Sequence, residues 1–182
     1  MTYRDKLKGF NSTVKYLNEM NYLVNQLMAQ PAHSIMDYGC GLGTFVMHLR
    51  DMGYDKTYGF DRYIYHTDEP FWFKRKIWFL FDRICFLHSI AHVEDIERVL
   101  REMRDNMLTA DGQIHVITPN LAWMETYGKD SDWKADETVI RHFNMESLAD
   151  LFMDQGFKVK EIVEFGTEHE GHKERLYLHA SR

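Results

Sequence analysis

Apolar positions along this 182-residue chain recur in two alternating rhythms, one helical and one extended. Between Thr13 and Met28, the residues Val14, Leu17, Tyr22, Leu27 and Met28 fall roughly on one helical stripe. Gln30-Pro31 ends it, because a residue before proline avoids helical angles. "SIMDYG" then reads as a short buried strand, "TFVMHLRDMG" as a helix closed by Gly53, and "KTYGFD" as a second strand. From Arg62 to Phe81 the chain is aromatic and basic and keeps neither rhythm; within it, "KIWFLF" fits a strand or a buried helical turn. "DRICFLHSI" is a strand with its apolar heart at Ile84 to Leu87. Asp95 to Leu108 spaces Ile96, Val99, Leu100, Met103 and Met107 by threes and fours, with Asp95 as a cap. A turn at Asp111-Gly112 leads into a strand that Pro119 ends. "NMESLADLFMDQGF" is a helix capped by Asn144, with Ser147 near, and stopped by Gly156. Two strands, "KVKEIVEF" and "RLYLHASR", close the chain around a polar loop.

Strands that alternate with helices imply parallel neighbours, since parallel pairing needs a crossover. The expected fold is therefore α/β, a Rossmann-like, mostly parallel sheet with helices on both faces and an antiparallel C-terminal strand hairpin. No linker, repeat or low-complexity stretch divides the sequence. Residues 1–182 read as a single domain, with a helical segment over 1–30 leading into a core over 31–182. In such sheets ligands settle beyond the carboxyl ends of the strands, which directs attention to the turn after the first strand.

Composition narrows the partners. Apolar residues make up 45% and charged residues 27%, as in ordinary globular proteins, and the net charge is -6. That charge speaks against nucleic acid or an anionic membrane as partner, because both are held mainly by Lys and Arg. The only compact basic run is Lys74-Arg75-Lys76. Cys40 and Cys85 do not look like halves of a disulfide framework, and no segment reads as a signal peptide or membrane span. A cytoplasmic location is expected.

The turn itself reads "DYGCGLGT". Its glycines allow positive backbone angles and bare the main-chain N–H groups, and the helix that follows offers its positive end to an anion. Asp61 lies about 18 positions beyond Gly43, near the spacing at which an acid meets a ribose in dinucleotide sites. Thr44, however, stands where a dinucleotide motif wants its last glycine. Asp37 would also repel a pyrophosphate but suit an ammonium or sulfonium. S-adenosyl-L-methionine carries all of the groups that match.

"IMDYGCGLGTFVMHL" resembles the first motif of class I S-adenosylmethionine-dependent methyltransferases, and "YGFD" resembles their second-strand acid. "FDRICFLHSIAHVED", "ADGQIHVITPN" and "IRHFNMESLADLFMDQGFKV" are similar to later landmarks of the branch containing the ubiquinone-biosynthesis O-methyltransferases. The resemblance spans roughly Ile35 to Val159. It implies that Asp37 and Gly39 sit by the methionine amino group, with Cys40, Gly41 and Gly43 shaping the loop. It implies further that Asp61 takes both ribose hydroxyls with Arg62 beside it, and that Leu87 and His88 contact the middle of the cofactor.

Two departures stand out. Relatives often carry Glu-His-Val where this chain has Ala91-His92-Val93. Only about 20 residues separate Asp61 from Asp82, so either the third strand is short or that edge is abbreviated. Asp68 or Glu69 is then the candidate adenine contact, with Phe71, Trp72 or Phe73 packing on the ring.

The expected activity is methyl transfer to a hydroxyl or amine of a small-molecule acceptor. His92 is the first candidate base and His142 the second, while Asn120, Trp123 and Tyr127 are candidate pocket walls. His88 and His92 are spaced as a metal pair but lack a third ligand, and "EHEGH", residues 168–172, reads as a solvated loop, so no metal is expected. A non-catalytic cofactor-binding regulatory domain and an NAD(P)-dependent oxidoreductase are the competing readings. The sequence leaves open a homodimer.

Overall fold

The computed structural model describes residues 13–62, 79–127 and 136–182, together with the backbone of 72–73. Helix α1 (Val14–Leu27) precedes strand β1 (Ile35–Tyr38), helix α2 (Thr44–Asp51) and strand β2 (Thr57–Phe60). A two-residue strand β3 (Trp72–Phe73) is followed by β4 (Phe81–Leu87), a 3-10 turn (Ile90–His92) and α3 (Ile96–Glu102). The second half runs β5 (Leu108–Pro119), α4 (Leu121–Tyr127), α5 (Met145–Asp154), β6 (Lys158–His169) and β7 (His172–Ser181).

The strands form one sheet in the order β3-β2-β1-β4-β5-β7-β6. β1 pairs in parallel with β2 and β4, and β4 with β5, while β7 runs antiparallel to both β5 and β6. The order reverses at β1, which lies between β2 and β4, so a crevice opens beyond the carboxyl ends of β1 and β4. The expected α/β sheet and its antiparallel hairpin are present. The third strand is the short one.

Successive strand residues point to opposite faces, and β1 shows this directly. Ile35 packs with Leu23 and Leu27 of α1 and with Phe45 and Leu49 of α2. Met36 packs on the other face with Ile96 and Leu100 of α3 and with Leu148 and Phe152 of α5. Two apolar layers thus clamp the sheet. Among the described residues no helix is long and apolar enough to cross a membrane.

Three local expectations need correction. The stripe on α1 has a different phase: Tyr16, Met20, Leu23, Val24 and Leu27 are buried, whereas Val14 and Met28 are mostly exposed. The buried face also carries Glu19, and a charged residue inside the stripe hides its phase from a count of apolar residues.

Asp111-Gly112 is not a free turn but part of an irregular stretch of β5, where pairing jumps from Phe81↔Leu108 to Arg83↔Gln113. A Cβ on Gly112 would lie 2.8 Å from the Leu108 Cβ, so the chain doubles back too closely for a side chain. The "EHEGH" loop, finally, is mostly strand. His169 pairs with His172, and the turn is only Glu170-Gly171, with φ of 48° and 82°. Those angles suit a tight type I′ hairpin.

Candidate cofactor site

The glycine turn lies at the carboxyl end of β1. Gly39, Gly41 and Gly43 take φ of 80°, 53° and 76°, a region costly for residues with a Cβ. At Gly39 space forbids a side chain as well, because a Cβ there would fall 2.3 Å from the Ser89 Cβ. Ser89 in turn donates its hydroxyl hydrogen to the Tyr38 carbonyl. The Gly39 and Cys40 N–H groups both donate to the Phe60 carbonyl, at 2.7 and 3.1 Å, fastening the turn to the end of β2. The Gly41 N–H donates to Asp61 Oδ2 at 2.8 Å, so the acid one residue past β2 orders the loop that the sequence paired with it. Gly43 caps α2, whose positive end faces the turn.

Asp37 is buried at 2% exposure, and its Oδ1 has no hydrogen-bond partner. Burial, and then the Asp61 charge, push its carboxyl up to about 8. An orphaned carboxyl oxygen in an apolar setting favours a proton or a cation beside it. The positive end of α2 and this acid together match a zwitterion carrying a carboxylate and an ammonium.

Cys40 and Cys85 are buried and free. Burial followed by the nearby Asp37 charge raises both thiols, so neither is poised as a nucleophile.

Leu87 ends β4 and is buried. His88 follows with φ 62°, and its ring turns toward α1, where Nε2 meets Glu19 Oε2 at 2.7 Å. The other Glu19 oxygen accepts from Arg175 Nε at 2.7 Å. Arg175 Nη1 lies 3.1 Å from Glu174 Oε1, which also pairs with Lys15. Burial works to raise the Glu19 carboxyl, but His88 and Arg175 outweigh it and hold it at about 2. Tyr16, one helical turn before Glu19, has its phenol raised by burial and then by Asp37, which places α1 over the same acid.

Sequence reasoning missed Lys15, Glu19, Glu174 and Arg175. The available signal was charge within buried elements, since Glu19 and Arg175 are 4% and 2% exposed.

Arg62 pairs with Glu94 at 3.0 Å, both largely exposed, joining the loops beyond β2 and β4. His92 places Nδ1 2.9 Å from the Thr138 carbonyl. His142 is exposed and lines a small cleft with Ala91, Thr118, Pro119, Val139 and Arg141. Ala91 and Val139 belong to the layer of α3 and α5. The structure therefore brings Asp61 and Ser89, next to His88, against the glycine turn that follows Asp37, and sets His92 against Thr138 and His142 in the cleft by the end of β5.

Asn120 is tied to the Lys173 carbonyl and the Ala122 N–H, while Trp123 and Tyr127 stack at 4.4 Å. Asp68, Glu69, Phe71 and Lys74-Arg75-Lys76, together with the side chains of Trp72 and Phe73, lie outside the described residues. Among the described residues no group of three or more His, Cys, Asp or Glu could hold a metal ion.

A family model described as a methyltransferase domain matches residues 12–162. The chain belongs to that family. As an S-adenosylmethionine-dependent methyltransferase it carries the sheet order and reversed β7 of the class I fold. The methyltransferase is similar to the crystal structure of an S-adenosylmethionine-dependent methyltransferase from Archaeoglobus fulgidus, with TM-score 0.75 and 15% identity, covering 100% of both chains. It is also similar to one from Aquifex aeolicus, with TM-score 0.72 and 14% identity, covering 100% of this chain and 99% of that one. A third similar structure is the geranyl diphosphate C-methyltransferase of Streptomyces coelicolor, solved with S-adenosyl-L-homocysteine. There TM-score is 0.69 and identity 16%, covering 92% of this chain and 79% of that one. No curated protein matches the sequence.

Proposed function

We propose that this methyltransferase transfers its methyl group to a hydroxyl or amine of a small-molecule acceptor, acting as a single domain. The observation that carries the donor site is the buried, unpartnered Oδ1 of Asp37 beside a turn of left-handed glycines. Asp37 would receive the donor's ammonium, and the positive end of α2, behind the turn that Gly39, Cys40, Gly41 and Gly43 shape, would receive its carboxylate. Asp61, which accepts from the Gly41 N–H, would take both ribose hydroxyls, with Arg62 alongside and Leu87 beneath. When bound, the donor supplies an electrophilic methyl on a sulfonium, and this chain's residues align the acceptor and exclude water.

A hydroxyl or amine must also lose its proton. His92 is a candidate base because a neutral ring that donates Nδ1–H to Thr138 keeps a lone pair on Nε2. His142 is a candidate because it lines the cleft at the end of β5. The chain's net negative charge supports a small molecule over a nucleic acid as acceptor.

A screen of labelled methyl transfer to phenols, sugars, amines and carboxylates tests the reading. Turnover on a hydroxyl or amine class is expected. Donor binding without turnover on any class would favour the regulatory-domain reading instead.

A further inference from the structure

We infer that His115 and His179 form an acid-sensitive latch that seats the C-terminal half of α1 on the sheet. The two residues stand opposite each other across the β5–β7 ladder. Their rings stack with centroids 4.6 Å apart and planes within 8° of parallel. His115 is fully buried and His179 half-buried. The Tyr177 hydroxyl lies 2.9 Å from His115 Nδ1. Among the described residues, the buried Nε2 atoms of both rings have no hydrogen-bond partner.

The titratable and charged groups around the pair come from every element packed against it. β4 brings Arg83, with Asp82 beside it, and Cys85 directly opposite His115. β7 brings Tyr177, and β6 brings Glu161, opposite His179, together with Lys160. α1 brings Tyr22, edge-on to Tyr177 at 5.6 Å, and the Leu27 carbonyl, which accepts from Arg83 Nε at 3.0 Å.

A neutral stack is compatible with these surroundings and a charged one is not. Two imidazolium rings at 4.6 Å would repel each other and Arg83, and each would hold a buried N–H without an acceptor. Burial, then His179 and Arg83, accordingly hold the His115 imidazole well below its ordinary value. Burial and then Arg83 lower His179 against the upward pull of Glu161.

The pair therefore takes up protons by opening. Opening reaches α1 by two routes, through Tyr177 to Tyr22 and through Arg83 to the Leu27 carbonyl. α1 is also the helix whose Glu19 meets His88 next to the cofactor turn. The unfolded histidines titrate near about pH 6.5, above both folded values, so the open chain binds more protons below that pH. Stability from the latch is complete above about pH 6.5 and is lost as pH falls toward the lowered folded values.

The test follows amide hydrogen exchange in the full ligand-free chain at pH 7.5 and 5.5, corrected for the intrinsic exchange rate. Acidification should speed exchange of the Tyr22–Leu27 amides at least tenfold in the parent. His179→Phe keeps a ring in the stack and removes one titrating group, so the gain should shrink at least threefold. The pair His115→Phe with Tyr177→Phe removes the other group without stranding the phenol and should act alike. In urea, the unfolding constant of the parent should rise relative to His179→Phe by up to about tenfold per pH unit below pH 6.5. Asp37 titrates in both chains and cancels from that ratio.

Equal acid responses in the parent and His179→Phe overturn the latch. An acid response spread evenly over all helices, rather than centred on α1, overturns it too. Should the variants fail to fold, imidazole ¹⁵N NMR of the parent decides. Both rings should stay neutral in the folded chain at pH 6, and a folded chain with either ring protonated there overturns the proposal.

Discussion

Asp37 ties stability to pH through one buried carboxyl. Its folded-state carboxyl titrates at about 8, raised by burial and by Asp61, whereas the unfolded chain releases that proton near pH 4. Between those values the folded state holds a proton that the unfolded state has lost. Stability from this group therefore falls as pH rises from about 4 to about 8. Urea denaturation of Asp37→Asn should show a flatter pH dependence across that window than the parent.

A cationic ligand group beside Asp37 favours the ionised carboxylate, so donor affinity should rise toward pH 8 with proton release. Calorimetry in buffers of differing ionisation enthalpy reads that release, and Asp37→Asn should lose it. The acid at this position was legible in the sequence because it sits two places before the glycines. Its isolation was not, since burial and missing partners belong to the packed structure.

Gly39 makes a sharper case. Gly39→Ala would combine a left-handed φ with a 2.3 Å approach to the Ser89 Cβ, a strain of about 1–3 kcal/mol before the clash is counted. Circular dichroism should show a folded chain that binds S-adenosylhomocysteine at least tenfold more weakly, because the turn must shift away from Ser89.

Among the elements, those with local signals read correctly from sequence. α5 carries the capping box foreshadowed by Asn144 and Ser147, with reciprocal bonds of 2.8 and 3.1 Å. Asn144→Ala should cost about 1 kcal/mol in denaturant unfolding and leave product affinity unchanged, since α5 lies on the layer away from α1. Asp95 likewise caps α3, its side chain accepting from the Arg98 N–H.

Elements set by tertiary contacts were less legible. The helical rhythm from Asp95 to Leu108 does not reveal that the α-helix ends at Glu102 and loosens into a π turn over Met103–Met107. The phase of α1 follows from where Glu19 meets His88 and Arg175, residues 69 and 156 positions away. The irregular β5 pairing likewise depends on a neighbouring strand.

At the scale of the whole molecule, alternation of strand and helix, followed by two consecutive strands, was enough to give the layered sheet and its antiparallel hairpin. It could not show which side of the crevice each histidine faces. That division follows from the packing: β4 delivers His88 to Glu19 of α1, whereas the next turn sets His92 against Thr138. The sheet also explains how a net-negative protein can hold a carboxylate-bearing ligand. The positive end of α2 acts at close range, where overall charge matters little.

Isothermal titration of the full chain with S-adenosyl-L-homocysteine tests this arrangement most directly. One site per chain with micromolar or tighter affinity, weakened at least tenfold in Asp61→Ala, is the expected result. A folded chain that gives no heat with either that product or S-adenosyl-L-methionine would contradict the account.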